Sequence, residues 1–491
     1  MPDPACQRKL ISINKVYTGH ADREINLRWD WNSLLDDEDA PRLGDYTEEY
    51  FPGADDLVRY LEDYARRHGL NIETGVDVKR VSRDGDGFVV EDARGGSYRA
   101  RRLVVATGCS LPHVPQIPGI EHAELYDHVS VEPADFRNQR VLILGKGNSG
   151  FETADNLVGA ASAIHVASPR PLRMAWESKY VGHVRAVNNN LIDTYQLKSQ
   201  NAILDATCER IEHRDGRLHA TFLYAHADGE RETLAYDRII CCTGFRFDTS
   251  VFDESCRPDL VIDGRFPGQT SAFESTNVPG LFFAGSLMQA RDWKKKQSGF
   301  IHGFRYNLRA LHRIFELRYF GNEWPHRRVA PEPGALSEAV LARVNRSSAL
   351  WQQTGFLCDL IVVPRDGSPA RYYEELPTAY VHDSPFDRYA DYYTVTLEFG
   401  DAIIARSANP LAIERVHKDD VERAHRSAAI HPIIRRHSRG AVVNEHHVIE
   451  DLEGQWLEDV HEEPLARYFA AQLVAAAPSG EAVEAATMEV M

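Results

Sequence analysis

Three glycines at the spacing G-x-G-x-x-G, in Gly145-Lys146-Gly147-Asn148-Ser149-Gly150, carry the clearest chemistry in this sequence. They follow the apolar run Val141-Leu142-Ile143-Leu144 and open a helical stretch, Phe151–Val158. In that order each glycine has its own task. Gly145 permits a tight turn, Gly147 lets a pyrophosphate approach the backbone, and Gly150 lets helix and strand pack closely. The helix N-terminus then meets phosphate oxygens with amide N–H groups and a favourable dipole, and Asn148 and Ser149 of the loop are candidate cofactor contacts. This context reads as a nicotinamide-dinucleotide site rather than a structural glycine turn. The next strand ends His165-Val166-Ala167-Ser168-Pro169-Arg170. An acid there would take a ribose 2′-hydroxyl; instead Ser168 and Arg170 suit a 2′-phosphate, so NADPH is the expected dinucleotide. The competing reading is a surface Arg170 with no ligand.

The elements that position this loop are legible around it. Ala54–Leu70 reads as an amphipathic helix, with Leu57, Tyr60, Leu61 and Tyr64 on one face and Gly69 as its stop. Short strands with Gly-rich hairpin turns at DGDG and ARGG follow. Leu103–Ala106 reads as a buried parallel strand running into Thr107-Gly108. The Pro-punctuated Leu111–Ile120 is expected to be a domain crossing. DRIICCTGF (Asp237–Phe245) is a second apolar run ending in Thr243-Gly244, and GLFFAGS (Gly280–Ser286) a third, followed by a helix near Ser298. After about Gly321 the pattern changes to helices mixed with aromatic strands such as Asp391–Phe399, and the last residues read as a frayed tail.

Composition narrows the function classes. Hydrophobic residues make up 43% and charged residues 26%, the balance of a globular protein, over 491 residues, enough for two to four structural units. The net charge of -17 argues against a nucleic-acid partner. No apolar run is long enough to span a membrane, and MPDPACQRKLISINK lacks an apolar leader core, so a cytoplasmic location is expected. Seven cysteines, among them the neighbours Cys241-Cys242, form no Cys-x-x-Cys pair. This fits a reducing compartment and argues against a zinc ribbon or a redox disulfide centre. Cys241-Cys242 read as the end of a buried strand. No GxSxG elbow supports a hydrolase. His446-His447 beside Glu445 lack a third ligand at metal spacing and read as a solvated loop, so no metal is expected. Lys294-Lys295-Lys296 can meet nucleotide phosphates or lie solvated, and Trp29 and Trp31 can pack a core or wall a pocket.

Long ordered blocks carry a family resemblance: RKLISINKVYTG (Arg8–Gly19), INLRWDWNSLL (Ile25–Leu35), YFPGADDLVRYL, VVATG, VLILGKGNSGFETADN, HVRAVNNNLIDTYQLKS (His183–Ser199), DWKKKQSGFIHGFRY (Asp292–Tyr306) and HPIIRR (His431–Arg436). The chain resembles flavin-containing monooxygenase-like flavoproteins, and more closely the FAD-dependent oxidoreductase domain-containing protein 2 group. The resemblance implies an α/β fold of two three-layer dinucleotide-binding domains. Residues 1–134 with 244–321 would form the FAD-type domain, 135–243 the NADPH domain, 322–475 an α+β extension and 476–491 a disordered tail. It implies FAD and NADPH as cofactors, Thr107-Gly108 and Thr243-Gly244 as the crossovers, and Gly285, Asp292 and Gly299 against the flavin. Asn14 falls where related monooxygenases place an Asn beside the flavin. The implied activity passes hydride from NADPH to flavin and then to O2 or another acceptor. The substrate is a small molecule of unknown identity, and a homo-oligomer is compatible. Two features depart from the family. The first FAD fingerprint, GxGxxG, is not present, so the chain is expected to start after that element. The monooxygenase signature is also unmatched, since His128 lies too far before Phe136-Arg137. The alternative is a flavin-free NADPH-binding or partner-binding subunit, or a fragment.

Overall fold

The computed structural model describes residues 9–476 apart from 38, 199–200, 390, 406–408 and 410; the expected tail beyond 476 lies outside them. The chain divides into two compact units, Met1–His312 and Arg313–Met491.

In the first unit, helix α1 (Ala54–Arg67) buries Tyr60 while Leu61 stays 38% exposed, and Gly69 ends it in the left-handed region. Strands β1 (Val78–Asp84), β2 (Gly87–Asp92) and β3 (Ser97–Ala100) form an antiparallel meander. Gly85 and Gly95 supply the positive φ of its two turns, as the Gly-rich hairpins predict. Strand β4 (Leu103–Val105) then pairs in parallel with a strand from far along the chain, Leu281–Phe283. Val104 is 44% exposed, so this run is open on one face rather than buried on both. The reason is that the parallel sheet here has only two strands among the described residues, too few to cover both faces.

A five-stranded parallel sheet forms the centre. Its strands are β5 (Glu124–Leu125), β6 (Arg140–Leu144), β7 (Ala163–Ser168), β8 (Ala202–Asp205) and, after a second meander (β9 Thr207–Arg214, β10 Arg217–Tyr224, β11 Glu230–Tyr236), β12 (Arg238–Cys241). The spatial order is β5-β12-β6-β7-β8. Helices α2 (Asn148–Leu157) and α3 (Asn190–Lys198) provide crossovers. Alternation along β6 explains the layering. Val141 and Ile143 pack with Phe151, Ala154 and Leu157 of α2, whereas Leu142 and Leu144 pack with Ile211, Phe222 and Tyr236 of the meander. A strand covered on both sides is apolar along its covered stretch, as Val141–Leu144 are. Strand β13 (Leu281–Phe283) and helix α4 (Ile301–Phe315) complete the unit. The helix starts three residues later than the expected Ser298, because residues 292–300 are held in turns by Lys295 N–H to Asp292 O and Phe300 N–H to Gln297 O.

The second unit is a six-stranded antiparallel sheet, β14 (His326–Val329), β15 (Leu357–Val362), β16 (Ala370–Pro377), β17 (Asp391–Glu398), β18 (His431–Ser438) and β19 (Ala441–His447), in the order β14-β16-β15-β17-β18-β19. Helices α5 (Pro333–Arg346) and α6 (Asp459–Ala476) pack together beside it. His446 and His447 lie on β19, not in a solvated loop. His446 stacks on Tyr468 with centroids 5.0 Å apart, and His447 bonds His431 at 2.9 Å and Glu445 at 2.7 Å. The extended pairing of 441–447 with β18 outweighs the polarity that suggested a loop.

Candidate dinucleotide and flavin site

At the end of β6, Gly145 sits at φ 119, donates its N–H to the Ala167 carbonyl at 2.8 Å, and has the Cys242 carbonyl so close that a β-carbon would lie 2.2 Å from it. A β-carbon on Gly150 would lie 2.2 Å from the Gly145 carbonyl. Gly147 differs: it is the N-cap of α2, it offers no side-chain cap, and a β-carbon there meets nothing within 4 Å. The open first turn of α2 is therefore backbone N–H facing accessible space, which fits a pyrophosphate.

The residues around this loop are tied to it. Asn148 donates to the His183 carbonyl at 2.9 Å and accepts from the Arg185 N–H at 2.9 Å, so the fingerprint holds the 182–188 segment. Ser149 offers its carbonyl to the Thr153 hydroxyl at 2.8 Å. Ser168, at the end of β7, bonds the Arg170 carbonyl at 3.1 Å, and Arg170 is exposed. Lys146 reaches Asp205 at the end of β8, an ion pair between neighbouring strand ends that sequence spacing gave no means of finding.

The segments that follow Gly108 and Cys242 lie side by side. Leu111–Pro112 pairs antiparallel with Phe245–Arg246, the His113 N–H donates to the Gly244 carbonyl at 2.8 Å, and the Thr243 hydroxyl donates to the His113 carbonyl. Cys241 and Cys242, as expected, end a buried strand. On the other parallel pair, Thr107-Gly108 follows β4 and Gly285 follows β13. The Ala284 N–H donates to Val105 O at 2.9 Å, and a β-carbon on Gly108 would come 3.2 Å from the Ser286 hydroxyl. Gly285, at φ 65, has open space at its β-position. These carboxyl ends of parallel strands are where open α/β sheets place ligands.

Past Gly285, Asp292 is buried. Its Oδ2 accepts from the Ser298 N–H at 3.1 Å while Oδ1 has no partner, and burial raises its carboxyl to about 6. An unpartnered buried carboxylate oxygen fits a ribityl hydroxyl donor. Gly299 lies against the Gln289 side chain, where a β-carbon would come 2.9 Å from Oε1. Sequence reading missed His302. Its ring stacks on Trp31 at 4.5 Å and on Phe300 at 5.6 Å, neither ring nitrogen has a hydrogen-bond partner, and burial keeps it neutral. Arg185 lies 5.1 Å over Trp31, so Trp31 joins the fingerprint-bound segment to the start of α4. Asn14 is also buried, with its side-chain amide donating to Thr47 O at 2.9 Å, which ties the first residues to the 47–50 segment.

Residues 28–285 match the family model described as pyridine nucleotide-disulphide oxidoreductase. The chain belongs to that family. FAD-dependent oxidoreductase domain-containing protein 2 of Mus musculus is 39% identical over 399 residues, 75% of this chain and 60% of the relative; that of Danio rerio is 38% identical over 418 residues, again 75% and 60%. The chain thus spans about 60% of the length of the curated relatives it matches. A solved flavin-containing monooxygenase from Stenotrophomonas maltophilia is 22% identical, with a TM-score of 0.45, covering 63% of this chain and 86% of its own. The two relatives from Mus musculus and Danio rerio carry the name of the group which the sequence blocks resemble. Among the described residues no helix is long and apolar enough to cross a membrane, and no group of three or more His, Cys, Asp or Glu is arranged to hold a metal ion.

Proposed function

We propose that this chain is an NADPH-using, FAD-dependent oxidoreductase of flavin monooxygenase type. Residues 135–243 hold the nicotinamide dinucleotide, and 1–134 with 244–321 flank the flavin. The observation that carries this reading is the division of labour among the three glycines, with Gly145 and Gly150 consumed by packing and Gly147 left open on the first turn of α2. Arg170, exposed beyond Ser168 and paired with no carboxylate, supplies the charge that favours a 2′-phosphate. Bound FAD would supply the two-electron redox chemistry between NADPH and O2 or another acceptor. Asp292 offers Oδ1 to a ribityl hydroxyl, Gly285 leaves its β-position open at the strand end, and the half-buried rings of Trp31 and Phe300 cover the buried His302. Titrating the purified chain with NADPH and NADH, then measuring NADPH oxidation with added FAD, tests the reading. Tight, NADPH-selective binding is expected; no binding of either nucleotide refutes it.

One feature favours a second reading, a nucleotide-binding subunit without its own catalysis: the 491 residues contain a single GxGxxG. NADPH binding without NADPH oxidation at saturating FAD would support that reading instead.

A further inference from the structure

Lys146 stands between the first two glycines of the fingerprint, and its side chain is only 3% exposed. An ammonium taken out of water needs a charged partner. It finds one in Asp205, the last residue of β8, whose side chain is 43% exposed. In the sheet β6 and β8 are not neighbours, because β7 lies between them. The register is parallel: Leu144 pairs with Ala167, and Ser168 pairs with Asp205. Two backbone bonds tie the three strand ends together, Gly145 N–H to Ala167 O at 2.8 Å and Ala206 N–H to Ser168 O at 3.2 Å. The Lys146–Asp205 pair therefore spans the carboxyl end of β7, past Ala167 and Ser168. That strand end is where a dinucleotide fold reads the 2′-position of the adenosine ribose, and an acid there accepts a hydroxyl and repels a phosphate. Asp205 is such an acid, one strand spacing of about 4.8 Å from Ser168, and it comes from the third strand of the unit rather than the second. Arg170, beyond Ser168, is exposed and paired with no carboxylate among the described residues.

We propose that Lys146 is a specificity-determining residue that acts through Asp205: its ammonium cancels the carboxylate at the end of β7, so that the ribose site admits the 2′-phosphate which Arg170 attracts. This rests on the proposed NADPH reading. Burial and exposure assign the roles. The ammonium is enclosed, and the carboxylate is the group of the pair that a ligand meets. Left uncancelled, Asp205 would face a phosphomonoester that carries close to two negative charges at neutral pH, and the site would turn to an unphosphorylated ribose. With the pair intact, Arg170 leaves one net positive charge at this strand end. Removing Lys146 leaves none, removing Asp205 leaves two, and removing both restores one.

The test is calorimetric titration of the full chain with NADPH and with NADH. Lys146→Met should lower the NADPH-over-NADH preference about tenfold, and Asp205→Asn should raise it by a similar factor, the scale of one charge close to the phosphate. The melting temperature of Asp205→Asn should fall, because the buried Lys146 loses its partner. Lys146→Arg should keep the parent's preference. Lys146→Met combined with Asp205→Asn should return the preference close to the parent's. A double variant as poor as Lys146→Met overturns the proposal, since Lys146 would then touch the phosphate directly. A lowered preference in Asp205→Asn overturns it too, and so does an unchanged preference in both single variants. Should a single variant not fold, the double variant, which buries no unpaired charge, still decides: a preference well below the parent's refutes the proposal. A parent that binds NADH as tightly as NADPH refutes the reading beneath, while a shift toward NADPH in Asp205→Asn would still uphold this inference. Binding of neither nucleotide overturns both.

Discussion

A β-carbon at Gly147 meets open space, whereas one at Gly150 would press on the Gly145 carbonyl at 2.2 Å. The two glycines should therefore fail differently. Gly147→Val should fold, losing about 1 kcal/mol at most because a β-branched N-cap replaces glycine. NADPH affinity should fall by about 2–4 kcal/mol as the added methyls block the pyrophosphate. Gly150→Ala should destabilise the unit by several kcal/mol, since the clash is with backbone that cannot move aside. Thermal melts paired with calorimetric titrations separate the two, and undiminished NADPH affinity in Gly147→Val would sink the fingerprint assignment. Arg170 is exposed and unpaired, so Arg170→Ala should leave the melting temperature unchanged. The NADPH-over-NADH preference should narrow by about 1–3 kcal/mol. A variant that discriminates as well as the parent would place 2′-phosphate recognition elsewhere.

Elements in the second unit carry a pH liability. His437 on β18 stacks on Tyr392 and bonds the Thr394 hydroxyl at 2.9 Å, and His446 on β19 stacks on Tyr468. Burial, then nearby cations and imidazoles (His382 and Arg435 for His437, His447 and Arg467 for His446), lowers both rings to about 4. The folded state then binds fewer protons than the unfolded state between about pH 4 and 6.5. Stability present above pH 6.5 is lost as pH falls through that window, by roughly 2 kcal/mol per ring. Asp359, raised to about 6 by burial, acts in the opposite sense, as does Asp292 in the first unit, while burial also lowers His165 and His183 there to about 4. The melting temperature should therefore drop between pH 7 and pH 5, and His437→Gln should flatten the drop. A melting temperature independent of pH over that range would contradict these buried neutral rings.

At the scale of the whole molecule, the proposed function asks one glycine fingerprint within 491 residues to serve two dinucleotides. Gly285, Asp292 and the start of α4 are the groups proposed for the ring and ribityl side, and a second cradle for the FAD pyrophosphate is not legible in the sequence. Losing two or three charge-assisted contacts of about 1.5–3 kcal/mol each would weaken FAD by a thousandfold or more. The purified 491-residue polypeptide should consequently be nearly colourless, with an FAD-to-protein ratio far below one. A version extended upstream by a strand–GxGxxG–helix unit should be yellow. A stoichiometrically yellow 491-residue chain would reveal a phosphate site outside the fingerprint.

The dinucleotide strand, turn and helix were readable from residue order alone because their determinants are local: an apolar run buried on both faces, glycines required by backbone conformation, and a helix starting at the turn. The hairpins at Gly85 and Gly95 and the burial of Cys241-Cys242 were legible for the same reason. Tertiary structure alone decided what depended on partners distant in sequence. Leu103–Val105 looked fully buried, yet Val104 is open, because burial is set by how many strands and layers cover a strand. His446-His447 looked solvated, yet pairing with β18 placed them on a strand against Tyr468. The Trp31–His302 stack joins residues 271 positions apart in the chain, and Arg265 and Lys294, from separate segments, meet over the Trp293 ring. No local pattern encodes the Trp31–His302 stack, since it exists only once the first residues and the start of α4 have converged.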